Sequence, residues 1–241
     1  MMRTNKALIR EALDAQDWRE RLDRLTADAP RSFVGPLISC LARGGTQAGR
    51  AAAALGACTA AVAREAPGDA RVIMRRFMWH MNEESGNLGW GVPQSMAETL
   101  ARSPLLAEEF SHILLSYIRN TGREDNFVDH APLRRSCFWA VGRLIRARPA
   151  IAASALPLLR AGLRDEDFAC RGMAAWALAQ LGMPEEWRTE LEALRSELEA
   201  LATAEESART PVLVFDGDDV REYTAAELAG STLERLKVTL L

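Results

Sequence analysis

Apolar residues recur at helical spacing along most of the chain. In "DFACRGMAAWALAQLG" (167–182), Cys170, Ala174, Ala177, Leu178 and Leu181 form one stripe, as on an amphipathic helix. Punctuation bounds these segments. Asp69, after "PG", reads as the N-cap of a helix over 70–83, and Ser103-Pro104 pairs an N-cap with proline at the first helical position. Pro132 and Pro149 mark further starts, and Gly182 before Met-Pro marks a stop. The pattern predicts first helices near 36–43, 70–83, 104–119 and 149–163, each followed by a second near 47–65, 91–101, 132–146 and 167–181. Pro157 is expected to kink its helix. Further helices over 4–26 and 184–206 cap the two ends. Strand-like alternation begins only after residue 210: apolar 211–215, the turn "DGDD" and "VREY" read as a β-hairpin. "TAAE" (224–227) and "STLE" (231–234) fit capping boxes, and "LKVTLL" fits a third strand.

The second helices resemble one another. "GRAAAALGACTA" (49–60), "VPQSMAETLARS" (92–103), "RSCFWAVGRLIR" (135–146) and "GMAAWALAQLGM" (172–183) each hold a small anchor: Gly56, Ala97, Gly142 and Ala179. Anchors recurring at a drifting period of about 40 residues, two helices per unit, mark a stacked helical repeat, and a small residue lets stacked helices approach closely. "LLRAGLRDEDFACRGMAAWALAQLG" (158–182), with Asp165 in its turn and Arg171 early in its second helix, resembles the HEAT-like family, including the variety named after phycobilin lyase repeats; "HAPLRRSCFWAVGRLI" (130–145) matches next best. The resemblance covers roughly residues 33–182. It implies an all-α superhelix, an α-solenoid of about four helix pairs over 1–206 with capping helices, and a curved binding face. It implies no particular chemistry. Residues 211–241 form a small acidic ββα(β) appendage. A hairpin alone is marginally stable, so it must dock on the helices or on another chain, which offers a homodimer contact or an open edge for a peptide strand.

Charge sharpens this division. Residues 1–182 carry net +5 and residues 183–241 net −8, giving −3 overall. An acidic chain argues against an obligate nucleic-acid binder. No apolar run approaches the roughly 20 residues of a membrane span. "MMRTNKALIREALDAQDW" is charged and amphipathic and has no apolar signal region, so a cytoplasmic protein is expected. Cys40, Cys58, Cys137 and Cys170 are scattered without metal-ligand spacing and read as buried thiols.

Two places hold candidate chemistry. "HMNEESGNLGWG" (80–91) contains G-x-x-G-x-G, the reverse of the dinucleotide fingerprint and after a helix rather than a strand, so phosphate cradling is not expected. His80 and Glu84 lie one turn apart, which suits a metal ion. Some HEAT-like enzymes bind iron through repeated His-Glu dipeptides, and this chain has none; no metal or cofactor is expected. The segment reads as an elbow between helices, with Asn82, Glu83 and Trp90 at a rim where a partner would touch. The second place is a ridge. On the helix 132–146, Phe138, Val141, Leu144 and Ile145 share one arc, while Trp139 falls with Arg135, Arg143 and Arg146. Trp176 is displaced in the same way on the next second helix. Position for position, Gln94/Glu98, Trp139/Arg143 and Trp176/Gln180 form a ridge that the resemblance places on the concave face. Arginine beside tryptophan suits cation–π contact and acidic or aromatic ligands; alternatively the tryptophans fill gaps between repeats.

No catalytic set stands out. The reading is therefore a non-enzymatic interaction or scaffold module that binds a protein or peptide through Glu98, Arg135, Trp139, Arg143, Trp176 and Gln180. An internal partner is also conceivable: the acidic tail folding over 131–171, a segment of net +5. Two enzyme readings stand beside it. HEAT-like DNA alkylation-repair glycosylases hold duplex with tryptophans and a carboxylate, parts that Trp139, Trp176, Arg143 and Glu98 would take, although phosphate binding needs a broader cationic surface. A lyase or chaperone for a tetrapyrrole rests on the repeat's family name alone.

Overall fold

A computed structural model of the chain describes residues 2–82, 89–123, 126–182 and 188–240. The described chain is mostly helical, with one two-stranded antiparallel sheet near the C-terminus. Helices run in the order α1 (Met2–Asp14), α2 (Trp18–Thr26), α3 (Pro30–Leu41), α4 (Gly45–Glu65), α5 (Pro67–Met81), α6 (Val92–Arg102), α7 (Pro104–Ser116), α8 (Ala131–Ala147), a 3₁₀ turn (Pro149–Ile151), α9 (Ala152–Gly162), α10 (Phe168–Leu178), α11 (Arg188–Thr203) and α12 (Glu205–Arg209). Then come β1 (Pro211–Phe215), β2 (Val220–Thr224) and α13 (Ala225–Leu240). Among the described residues no helix is long and apolar enough to cross a membrane.

The chain divides into two compact units. The first is Met1–Ser111 with Phe215–Val220, the second His112–Val214 with Arg221–Leu241. In the first, α4 packs against α3 and α6. The anchor Gly56 explains the closeness of α4 and α6: a β-carbon there would come within 2.7 Å of the Glu98 carbonyl carbon and 2.9 Å of the Thr99 nitrogen. Leu37, Leu55, Met74, Phe77, Met96 and Leu100 fill the core between these helices. Gly91 precedes α6 in the left-handed region, φ 72°, a conformation that favours glycine. Arg31 on α3 pairs with Asp69 on α5, and Arg71 on α5 pairs bidentately with Glu109 on α7 at 2.7 and 2.5 Å.

The second unit repeats the device. A β-carbon on Gly142 of α8 would lie 2.9 Å from the Cα of Ala177 on α10. Gly172, on another side of α10, lets α13 approach: its β-carbon would lie 2.8 Å from the Ala225 Cα. Thr232 of α13 donates to the Ala175 carbonyl at 2.9 Å. Arg160 on α9 pairs with Glu197 on α11 at 2.9 Å. The ion pairs Arg31–Asp69, Arg71–Glu109 and Arg160–Glu197 join α3 to α5, α5 to α7 and α9 to α11, at separations of 38, 38 and 37 residues.

Several expectations need correction. The helix expected over 4–26 breaks between Asp14 and Trp18, and the one expected over 149–163 opens with a 3₁₀ turn before Ala152. Residues 236–240 of "LKVTLL" are the end of α13, not a third strand. Its Leu236 continues the buried stripe of Leu228, Ala229, Thr232 and Leu233, so helical propagation from Ala225 overrides local strand character. "TAAE" is a capping box as expected: Glu227 N donates to Thr224 Oγ1 at 3.1 Å and Thr224 N to the Glu227 carboxylate at 2.6 Å. "STLE" is interior to α13 and caps nothing. Helix α5 begins at Pro67, so Asp69 lies in its first turn rather than at its cap. The start expected at 184 and the elbow residues 83–88 lie outside the described residues.

Candidate functional site

The ridge residues divide between the units. Trp139, Arg143, Arg135, Trp176 and Gln180 belong to the second unit and Glu98 to the first. In the second unit, the Trp139 and Trp176 indoles stack nearly parallel, centroids 6.0 Å apart and planes 6° apart. Gly142 makes room for this: Trp176 Cζ3 lies where its β-carbon would be, at 2.7 Å. Trp139 is 4% exposed, so it fills the seam between α8 and α10. Trp176 is half-buried and carries the pair to the surface, together with half-buried Arg143 and Gln180. Gln180 Nε2 donates to the Trp176 carbonyl at 3.0 Å, tying the end of α10 to the same corner.

The turn leading into α10 is held by charge. Arg134 is buried and forks onto Asp165 at 2.7 and 2.8 Å, and its Nη1 also donates to the carbonyls of Val128 and Asp129. Arg135 forks onto Asp167 at 2.9 and 2.6 Å. Asp167 is also the N-cap of α10, accepting from Cys170 N at 2.7 Å. Burial pushes the Asp167 carboxyl up, but Arg135 and the Cys170 N–H outweigh it and hold the group down at about 2. Arg135 is therefore a structural clamp with a half-buried flank. Glu98 is buried in α6, ion-paired with Arg102, its β-carbon under Gly56.

Of the expected rim residues, Asn82 is exposed just after α5, Trp90 is 39% exposed beside Gly91, and Glu83 lies outside the described residues, as does Glu84. The His80 ring meets the Trp79 ring edge-on at 5.4 Å. Among the described residues no three His, Cys, Asp or Glu side chains converge as a metal site. All four cysteines are free and buried, and burial raises their thiols, that of Cys58 to about 11, so none offers a thiolate at neutral pH. No family model and no curated protein matches the chain.

One constellation escaped the sequence reading. Within the first unit, the hairpin tip 215–220 sits in a cradle made by α2 and α4. Trp18 Nε1 donates to Asp218 Oδ1 at 2.8 Å, and Arg19 donates to the same carboxylate and to the Gly217 carbonyl. Arg50 Nε donates to the Asp218 carbonyl at 3.0 Å while its Nη1 holds the carbonyls of Leu13 and Ala15. Thr46 donates to Asp219, and the Phe215 ring lies over Gly49. These contacts hold the carboxyls of Asp218, through Trp18 and Arg19, and Asp219, through Thr46, below their ordinary value. Partners nearly 200 residues apart leave no local signal; only the acidic turn and the cationic helix faces could have suggested it. The acids of the tail thus divide: the tip pairs here, while Glu197 accepts from Arg160 and Arg164 in the second unit.

Proposed function

We propose that the chain is a HEAT-like α-solenoid that acts as a non-enzymatic interaction module, binding a protein or peptide through the surface edge of the α8–α10 seam. The glycine contacts of α4 with α6 and of α8 with α10, and the ion pairs that join α3 to α5, α5 to α7 and α9 to the end helix α11 at near-constant separation, support the stacked-repeat reading. The observation that carries the binding reading is the Trp139–Trp176 stack, whose buried ring fixes the half-buried one; Arg143, one turn after Trp139, and Gln180, one turn after Trp176, are half-buried too. A pre-ordered aromatic loses little freedom on binding, and tryptophan and arginine are the residue types of interface hot spots. The ridge shrinks accordingly to Trp176, Arg143 and Gln180, with Trp139 as its support.

Affinity capture with the full chain, compared with a Trp176→Ala/Arg143→Glu variant of unchanged melting temperature, tests this. The reading expects proteins retained by the first and lost by the second. Identical captured sets would refute it.

A further inference from the structure

Helix α5 carries apolar side chains on two opposite arcs. Ala70, Ile73, Met74 and Phe77 are buried. On the other arc, at spacing i, i+3, i+4, i+7, stand Val72, Arg75, Arg76 and Trp79, all exposed. Val72 is 52% and Trp79 61% exposed, and Trp79 is the most exposed large apolar side chain among the described residues. Amphipathic surface helices put polar residues on this arc. The neighbouring charges are already committed: Asp69 to Arg31 and Arg71 to Glu109. Among the described residues, Arg75 and Arg76 form no ion pair. The arc therefore presents two apolar anchors, seven residues or about 10 Å apart, with two uncompensated guanidinium groups between them.

We propose that this face of α5 docks an acidic amphipathic helix of another protein. Apolar residues at i and i+7 on such a helix meet Val72 and Trp79, and carboxylates one turn away from them meet Arg75 and Arg76. The i±3/i±4 rows on both partners give ridges-into-grooves packing. Tryptophan and arginine are the residue types that dominate interface energetics. The surroundings disfavour polyanions. Two arginines are few against a phosphate backbone or an anionic bilayer, and α7, ion-paired to α5, exposes Glu108. A second copy of this chain does not supply the occupant from α11, whose Glu192 and Glu199 are exposed but whose Leu194, Leu198 and Leu201 are buried.

The probe is a fluorescein-labelled synthetic helix with leucine at i, i+3 and i+7 and glutamate at most other positions, titrated with the full chain at low ionic strength and read by anisotropy. Saturable binding is expected, weakened roughly thirtyfold by Trp79→Ala and abolished by Arg75→Glu/Arg76→Glu. The Trp176→Ala/Arg143→Glu variant should bind the probe unchanged, which separates this face from the α8–α10 surface. The same leucine pattern with lysine for glutamate should not bind. Absence of binding by the acidic probe, binding indifferent to Trp79→Ala, or capture of phosphatidylserine-rich vesicles or duplex DNA in its place would each overturn the proposal. Arg75, Arg76 and Trp79 are exposed and Arg143 and Trp176 half-buried, and matched thermal melts confirm that every variant folds.

Discussion

The outer face of α5 and the seam between α8 and α10 are built from the same residue types and use them in opposite ways. In the seam, Trp139 has a stacked ring beside it, and Arg134 and Arg135 each have a bidentate carboxylate. On α5, Trp79 is mostly in water, and Arg75 and Arg76 have no ion pair among the described residues. Matched groups in the seam contribute to the stability of one fold. Unmatched groups on α5 contribute little to folding and remain available to a partner. Residue type alone does not separate the two cases; what neighbours supply does.

Substitutions at matched and unmatched positions sharpen the contrast. The largest effect is expected at Arg134. Arg134→Ala leaves Asp165 buried without its partner and should cost roughly 3–5 kcal/mol in denaturant unfolding, whereas Arg76→Ala should stay within about 0.5 kcal/mol. Next comes Gly142→Ala. The added carbon meets the Ala177 backbone and the Trp176 ring, and overpacking of about 1–3 kcal/mol exceeds the gain in helix propensity. Gly68→Ala on α5, with nothing within 4 Å, should be neutral or slightly stabilising.

A pH effect of roughly 2 kcal/mol is expected from Asp167. Its carboxyl is lower in the folded chain, at about 2, than its ordinary 3.8. Its contribution is therefore present above about pH 4 and is lost as pH falls toward 2. Asp167→Asn keeps a capping side chain but should flatten that part of the acid limb; an unchanged limb would contradict the Arg135 clamp. Smaller still is the effect of the hairpin tip. Asp218 and Asp219 are also held low, so their contacts weaken in the same direction, but both are exposed, and Asp218→Asn should shift the acid midpoint only slightly.

The helices, and the close approaches of α4 to α6 and of α8 to α10, were legible because helical spacing is a local signal and Gly56 and Gly142 are both sequence features and points of helix contact. The capping box at Thr224 and the hairpin were legible because their signals are local. "LKVTLL" misled because six residues fit either period, and only the preceding turns of α13 decide between them. The seam was half legible: the wheel displaced Trp139 and Trp176 from the apolar arc, but burial of Trp139 depends on the ring opposite and on Gly142. The α5 face was open to the same wheel test, which puts Val72, Arg75, Arg76 and Trp79 on one arc. The hairpin-tip cradle was beyond reach, because it joins Trp18 to Asp218 across most of the chain.

The most direct test of the contrast is denaturant unfolding of Trp139→Ala and Trp79→Ala side by side. Trp139→Ala should lose roughly 3–5 kcal/mol, as deletion of a buried indole does, and Trp79→Ala should remain within about 0.5 kcal/mol of the parent chain. Equal losses, or a neutral Trp139→Ala, would contradict the assignment of one tryptophan to the fold and the other to a partner.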